Sequence, residues 1–397
     1  MPTQRGLYYG GAWHQPKAGV YLKTINPTYN EAITTAPVAD ADDVDAAVRS
    51  AHAAFPAWAA TPPVERGRYL RRAAAVLREH ALPLAQLDSL NNGNPVSALA
   101  MDAGFAADCL GYFAGLATEI KGETIPMGDG NFNYTPQEPL GVIARIVAYN
   151  HPFMFAAARL AAPLAAGNTV VVKSFDQAPL SILRLANSLA IFSRLASPIS
   201  SAAGAHAATS WAGMLEKVVT LLPERHKPGI PTDPKTTMGS LVSRAQLEKV
   251  KGYVAAGLED GGRLVCGGKQ PDDPVLKDGF FYEATVFADM QPHMRLAQEE
   301  VFGPIMSVFK WSDEDTLWEQ VNGVDVGLTG SIWTQNLNIA HRAAKRIHTG
   351  YVWINNASQH FMGARFGSVK QSGIGREECF AELLEFTYTK NVNLKLG

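Results

Sequence analysis

The stretch from Gly141 to Lys173 constrains the fold more than any other part of this sequence. GVIARIVAY (141–149) is a continuous apolar, β-branched run of the type buried inside a parallel sheet. AARLAAPLAAG (157–167) then reads as a helix stopped by Gly167, and TVVVK (169–173) as a second buried strand. Strand, helix and strand within about thirty residues make a βαβ unit with a right-handed crossover.

The flanking sequence extends this pattern. ADDVDAAVRSAHAAFPAWAA (41–60) and VERGRYLRRAAAVLREHALPLAQLDSL (64–90) each read as one amphipathic helix, the first opened by acidic residues that suit its positive end. NNGNP (91–95) is a turn, and VSALAMDAGFAADCLGYFAGLA (96–117) is a further helical stretch. Near the C-terminus, GSIWT (330–334) and GYVWIN (350–355) read as strands flanking the helix NIAHRAAKRI (338–347). A chain of 397 residues, 47% hydrophobic, has room for two or more cores. A formal net charge of -2 supplies no basic field, which argues against a nucleic-acid partner. No apolar window is long enough to cross a bilayer, and MPTQRGLYYGGAW lacks the layout of a secretory signal. Cys109, Cys266 and Cys379 lie far apart without CxxC spacing, so a reducing cytoplasm is expected. The ten histidines show no HExxH spacing, and no metal site is expected.

Five longer motifs decide the reading. EPLGVIARIVAYNHPFMFAAARLAAPLAAGNTVVVKSFDQAPL (138–180), PGIPTDPKTTMGSLVS (228–243), EEVFGPIMSVF (299–309), GLTGSIWT (327–334) and FGSVKQSGIGRE (366–377) resemble the aldehyde dehydrogenase family. The resemblance covers Tyr8–Phe192 and Leu215–Asn393, in family order. It implies an α/β fold with an open parallel-sheet dinucleotide-binding domain (1–121 and 139–192, incomplete). A catalytic α/β domain (215–383) and an oligomerisation arm (122–138 and 384–397) would complete it, with an aberrant junction at 193–214. The implied reaction oxidises an aldehyde to the acid with NAD(P)+. A cysteine thiolate attacks the carbonyl, an oxyanion hole holds the alkoxide, hydride leaves to the nicotinamide, and a glutamate activates water. A homodimer or homotetramer is implied as well.

Residue by residue, Asn150 matches the oxyanion-hole asparagine; read alone, it is a turn residue before His-Pro. Ile146 and Val147 fall at the cofactor edge of the first strand. Lys173 and Asp176 match the positions that bind the adenosine ribose, at the carboxyl end of the second strand. A carboxylate at Asp176 would repel a 2'-phosphate and favour NAD over NADP, unless it is simply part of a solvated loop. Glu300 and Phe302 match the residues that hold the nicotinamide ribose and ring. His151 replaces a usual aromatic at the substrate funnel, near Phe153 and Phe155, which suits an anionic or aromatic aldehyde or else a histidine packed in a loop. Gly128–Gly130 reads as a turn. FGSVKQSGIGRE, beside Arg365 and with Ser368 in place of the family's second glycine, reads as a structural loop next to the site.

The family's middle is not found in this sequence. Between Phe192 and Met214 the resemblance calls for a glycine-rich turn opening a pyrophosphate-binding helix, a general-base glutamate in an ELGGK-like motif and a nucleophile in a GQxC-like motif. None is present, and the three cysteines read as structural thiols instead: Cys109 in an apolar helix, Cys266 in a turn, Cys379 at a helix start. In their place stands SRLASPISSAAGAHAATSWAG (193–213), whose composition also suits a flexible linker. The family commonly reads Phe-Pro-Pro-Gly-Val-Pro-Asn-Ile-Val here. Spelled TTC CCG CCT GGC GTC CCC AAT ATC GTC, with the two nucleotides TC inserted after the first codon, it becomes Phe-Ser-Arg-Leu-Ala-Ser-Pro-Ile-Ser. That is the sequence of 192–200. An out-of-frame stretch with the frame restored near Met214 or Leu215 is therefore expected.

Overall fold

The computed structural model describes residues 1–2, 6–189 and 211–395. The junction expected at 193–214 thus lies largely outside the described residues. The N-terminal half is led by helices α1 (Ala41–Ala59), α2 (Pro63–Glu79), α3 (Ala81–Asn92), α4 (Val96–Leu99) and α5 (Asp102–Leu116). The βαβ unit follows, its helical part formed by α6 (Pro152–Ala158) and α7 (Ala161–Ala166), and α8 (Leu180–Leu189) comes next. Asp40 caps α1 in a reciprocal box with Asp43, and Gly167 ends α7 at φ +99°, a conformation that glycine adopts without strain.

Several expected elements divide. The helix expected over 64–90 breaks at His80. Pro83 stands in the first turn of α3, where its missing N–H costs nothing, whereas inside one long helix its ring would meet the Glu79 carbonyl. The stretch 96–117 splits into α4 and α5, and 157–167 is shared between α6 and α7. The first expected strand is shorter than 141–149, running only Val142–Ile146, and pairs in parallel with Thr169–Lys173. Neither strand is fully buried: both are half-covered along most of their length, and Ile146 is 82% exposed. Among the described residues each is the other's only strand partner.

A second parallel pair, Thr329–Ile332 with Tyr351–Ile354, flanks the helix Leu337–Arg346 as expected. The strands Arg263–Cys266, Thr285–Ala288 and Ile305–Ser307 form a mixed sheet over the helix Arg244–Glu259. The expected arm segments pair with each other. Val392–Lys395, Asn131–Thr135 and Glu123–Ile125 make one antiparallel sheet, and Thr387–Thr389 pairs with Gln137–Pro139.

The largest core joins α2, α5, α6 and α7 through Leu70, Leu77, Leu110, Phe113, Phe153 and many alanines. Small side chains let these helices approach closely. Gly67 marks the closest point, since a Cβ there would lie 2.6 Å from the Ala114 carbonyl oxygen. Gly67→Ala must push α2 from α5 and should lower stability by about 1–2 kcal/mol. Thermal unfolding of the variant is the check; an unchanged or higher midpoint would mean the helices separate freely.

Candidate active site

The parallel register places the expected cofactor residues on one edge. Ile146 lies opposite Lys173, and the Val147 N–H donates to the Lys173 carbonyl at 3.2 Å. Ile146, Val147 and Lys173 therefore share the carboxyl ends of adjacent parallel strands, where open α/β sheets receive ligands. Lys173 Nζ donates to Asp176 Oδ1 at 2.6 Å, and both side chains are more than half exposed. So exposed an ion pair contributes little to stability and leaves both groups free to exchange partners.

Asn150 is not the end of a strand; it sits in a bend directly before α6, whose first residue is Pro152. Its backbone is held by two asparagines, one ending α3 and one in the turn after it. Asn92 Nδ2 donates to the carbonyls of Tyr149 and Asn150 at 3.2 and 3.3 Å, and Asn94 Nδ2 donates to Asn150 O at 2.5 Å. Gly93, at φ +86°, turns the chain between them, and Asn92 Oδ1 accepts from the Asn94 N–H. These bonds fix the Asn150 backbone while committing none of its side-chain donors. That is the arrangement an oxyanion donor needs, because its position is set before charge develops.

Tyr149 links the two halves of the molecule. Its ring packs 5.0 Å from Phe175, beside Asp176, and 5.5 Å from Phe302. Burial pushes its hydroxyl up to about 12, with the charge of Glu300 adding to the effect. Glu300 and Phe302 are thus brought alongside the strand ends. Phe302 adopts φ +53°, a left-handed conformation unusual for a large side chain. The helix Arg244–Glu259 holds it there: Gln246 Nε2 donates to the carbonyls of Val301 and Phe302, and Lys249 Nζ donates to that of Glu300.

His151 occupies the N-cap position of α6, and its Nδ1–H donates to Asp102 Oδ2 at 2.9 Å, with the Phe155 ring edge-on at 6.0 Å. Burial alone would lower its pKa, but the hydrogen bond and charge of Asp102 outweigh that and raise it. Cys109 is buried on α5 with its sulfur 3.7 Å from Met362 Sδ, and burial pushes the thiol up to about 12. Cys379 is buried at the start of the helix Phe380–Leu384. Cys266 is not in a turn; it ends the strand Arg263–Cys266, is only half-buried, and faces the Ala284 carbonyl at 3.9 Å. Among the described residues no group of three His, Cys, Asp or Glu is arranged to hold a metal. None of the described helices is long and apolar enough to cross a membrane.

The aldehyde dehydrogenase family model matches residues 13–192 and 208–392. The chain belongs to this family. Aldehyde dehydrogenase tropH of Talaromyces stipitatus is 39% identical over 488 aligned positions, covering 100% of this chain and 94% of that protein. Betaine aldehyde dehydrogenase of Mesorhizobium japonicum is 34% identical, covering 98% of this chain and 97% of its own length. Among solved structures, PnpE from Pseudomonas sp. WBC-3 superimposes with a TM-score of 0.91 at 31% identity, covering 99% of this chain and 98% of that one. PnpE in complex with nicotinamide adenine dinucleotide gives a TM-score of 0.92 at the same identity. The mixed α/β architecture is therefore the aldehyde dehydrogenase fold. Sequence reasoning singled out Asn150, Lys173, Asp176, Glu300 and Phe302, but read Asn92 and Asn94 only as turn residues and did not single out Asp102.

Proposed function

We propose that this chain is an NAD-linked aldehyde dehydrogenase by descent that has lost the segment carrying the nucleophile, the general base and the pyrophosphate-binding turn. It keeps the means to orient an aldehyde and part of a dinucleotide, but has very low turnover. The observation that carries this is chemical: Cys109 and Cys379 are buried, and Cys266 ends a strand with its sulfur against the Ala284 carbonyl. Burial pushes the Cys109 thiol up to about 12, so at neutral pH it is a neutral sulfhydryl and a poor nucleophile. Two further observations support the lost segment. The alignment to the Talaromyces relative runs over 488 positions although this chain has 397 residues. Apolar strands that a parallel sheet normally buries on both faces stand half-covered, with Ile146 in solvent.

The residues present fit half of the dinucleotide. Lys173 and Asp176, exposed at the strand ends, suit ribose hydroxyls, and the Asp176 carboxylate disfavours a 2'-phosphate, hence NAD over NADP. Glu300 and Phe302 suit the other ribose and the ring. The dinucleotide, when bound, supplies the hydride acceptor. With no glycine-rich turn in the sequence to receive the pyrophosphate, its affinity should be weak. The cytoplasm is the proposed compartment.

A second reading, a non-catalytic oligomerisation partner, is favoured by the arm. Phe132, Tyr134 and Leu394 are exposed on one face of its three-stranded sheet, an apolar row of the kind that homodimers or homotetramers cover. The purified chain mixed with NAD and a panel of aliphatic and aromatic aldehydes should form NADH about a millionfold more slowly than an intact relative. Ordinary turnover, abolished by replacing one of Cys109, Cys266 or Cys379, would overturn the proposal. Sequencing the gene across codons 192–215 tests the frame: codons that cannot be shifted back to a glycine-rich segment would remove the explanation of the loss.

A further inference from the structure

Helix α5 carries more than the packing of the core. Counting along it, Asp102, Phe105, Cys109 and Tyr112 recur at three- and four-residue spacing and so lie on one face. Each meets a residue from a distant part of the chain. Asp102 receives His151 Nδ1 at 2.9 Å, from the loop that also presents Asn150. One turn on, Phe105 lies edge-on to His360 at 5.9 Å. His360 repeats the arrangement of His151: its Nδ1 lies 3.0 and 3.1 Å from the two carboxylate oxygens of Glu378, a buried residue held at φ +63°. Phe366, Tyr351 and Trp353 complete an aromatic surround, with ring centroids 4.5, 6.3 and 6.0 Å from the imidazole. The next position, Cys109, touches Met362.

The two histidines are thus built alike from unrelated sequence. In each, a buried carboxylate takes Nδ1 and fixes the ring, so the other nitrogen is the one left to meet a ligand. Both imidazoles keep part of their surface open, His151 with 34% of its side chain exposed and His360 with 27%. Neither Nε2 has a hydrogen-bond partner among the described residues. The surfaces beside them are aromatic, Phe155 at the first and Phe105, Tyr351 and Phe366 at the second. An aliphatic aldehyde would leave both ring nitrogens unmatched. An aromatic ring carrying an acidic oxygen matches them, because a flat π face packs on the rings while a ring hydroxyl donates to the free Nε2, or a carboxylate oxygen accepts from Nε2–H of the doubly protonated imidazole.

We propose that His151–Asp102 and His360–Glu378 form the specificity-determining wall of the aldehyde site and select an aromatic aldehyde bearing a hydroxyl or carboxylate on its ring. The inference rests on the aldehyde dehydrogenase reading above, which places Asn150 at the reacting carbonyl, and adds what lies at the other end of the substrate. It needs no turnover to be tested. The full chain is titrated calorimetrically at neutral pH with 3-carboxybenzaldehyde, 3-hydroxybenzaldehyde, benzaldehyde and hexanal. The two acidic aromatics are expected to bind at least about tenfold more tightly than benzaldehyde, and hexanal most weakly. His151→Phe and His360→Phe each remove one hydrogen-bonding Nε2 while keeping a ring, and each should bring the ratio of carboxybenzaldehyde to benzaldehyde affinity towards one. Should either replacement unfold the chain, His151→Gln and His360→Gln, which keep a polar partner for the carboxylate, replace them in the same ratio measurement. Equal affinity for benzaldehyde and its acidic derivatives overturns the wall and leaves the family reading intact. Failure to bind any aldehyde, in a chain whose unfolding is cooperative, overturns both.

Discussion

Replacing residues 193–214 with the intact segment of a relative, joined in frame between Phe192 and Leu215, is expected to raise aldehyde-dependent NADH formation by about a millionfold. The size follows from what such a segment brings: a thiolate nucleophile and its partner base act as a unit, so gaining both restores the whole covalent route rather than half of it. The rest of the site stands ready. Asn150 is anchored through its carbonyl by Asn92 and Asn94, and its carboxamide makes no competing bond among the described residues. Tyr149 already packs against Phe302 and Phe175, so the two proposed cofactor edges lie together. In the repaired chain, Asn150→Ala should lower kcat by about 10²–10³, the effect of losing one oxyanion donor. In the unrepaired chain that substitution has almost no turnover to remove. A repaired protein that unfolds cooperatively and binds NAD but forms no NADH would place the lesion elsewhere, with Ser368 in the altered loop the first position to revert to glycine.

The contrast between legible and illegible parts has a physical origin. Local signals held: Asp40 and the acidic first turn start α1, Gly167 stops α7, and the paired apolar runs made the parallel strands. Breaks inside long helical patterns were missed where one residue outweighs periodicity, as Pro83 does. The first strand's expected burial failed for another reason. A run such as VIARI reports a preference for being covered, and only the neighbouring elements decide whether cover exists. The site divides the same way. Asn150, Lys173, Asp176, Glu300 and Phe302 sit in motifs, so their identity travels with the local sequence. Asn92, Asn94, Asp102 and Glu378 act through side chains that cross to other segments, Asn94 to Asn150 over 56 positions and Asp102 to His151 over 49. Nothing in the residues between them encodes such a meeting.

Unfolding free energy should fall by about 3 kcal/mol as pH rises from 6 to 8, opposite to the trend in a protein stabilised by ionised carboxylates. Asp88, fully buried on α3, is the main cause. Burial pushes its carboxyl from 3.8 up to about 8, against the opposing help of Ser181 and of the Phe153 N–H, which donates to Oδ2 at 3.3 Å. In the folded chain Asp88 therefore keeps a proton that the unfolded chain has given up above about pH 4. A folded pKa raised in this way contributes stability that is complete below the unfolded value and is lost as pH climbs through 8. Integrated from pH 6 to 8, this one group accounts for about 2 kcal/mol. Glu382, pushed up to about 7 by burial among Arg145, Arg159 and Glu377, has the same sign and adds about 1 kcal/mol. His151, raised by Asp102, works in the same direction. Opposing groups do not reach this window: Glu299, lowered to about 2 by Arg295 and Tyr253, loses its contribution only under acid conditions. Asp88→Asn, which carries no titrating proton, should remove most of the slope in urea unfolding at pH 6, 7 and 8. A wild-type stability that is flat or rises across that range would mean Asp88 is ionised in the fold, beside Asp102 and with Ser181, Phe153 and the charge of His151 holding it.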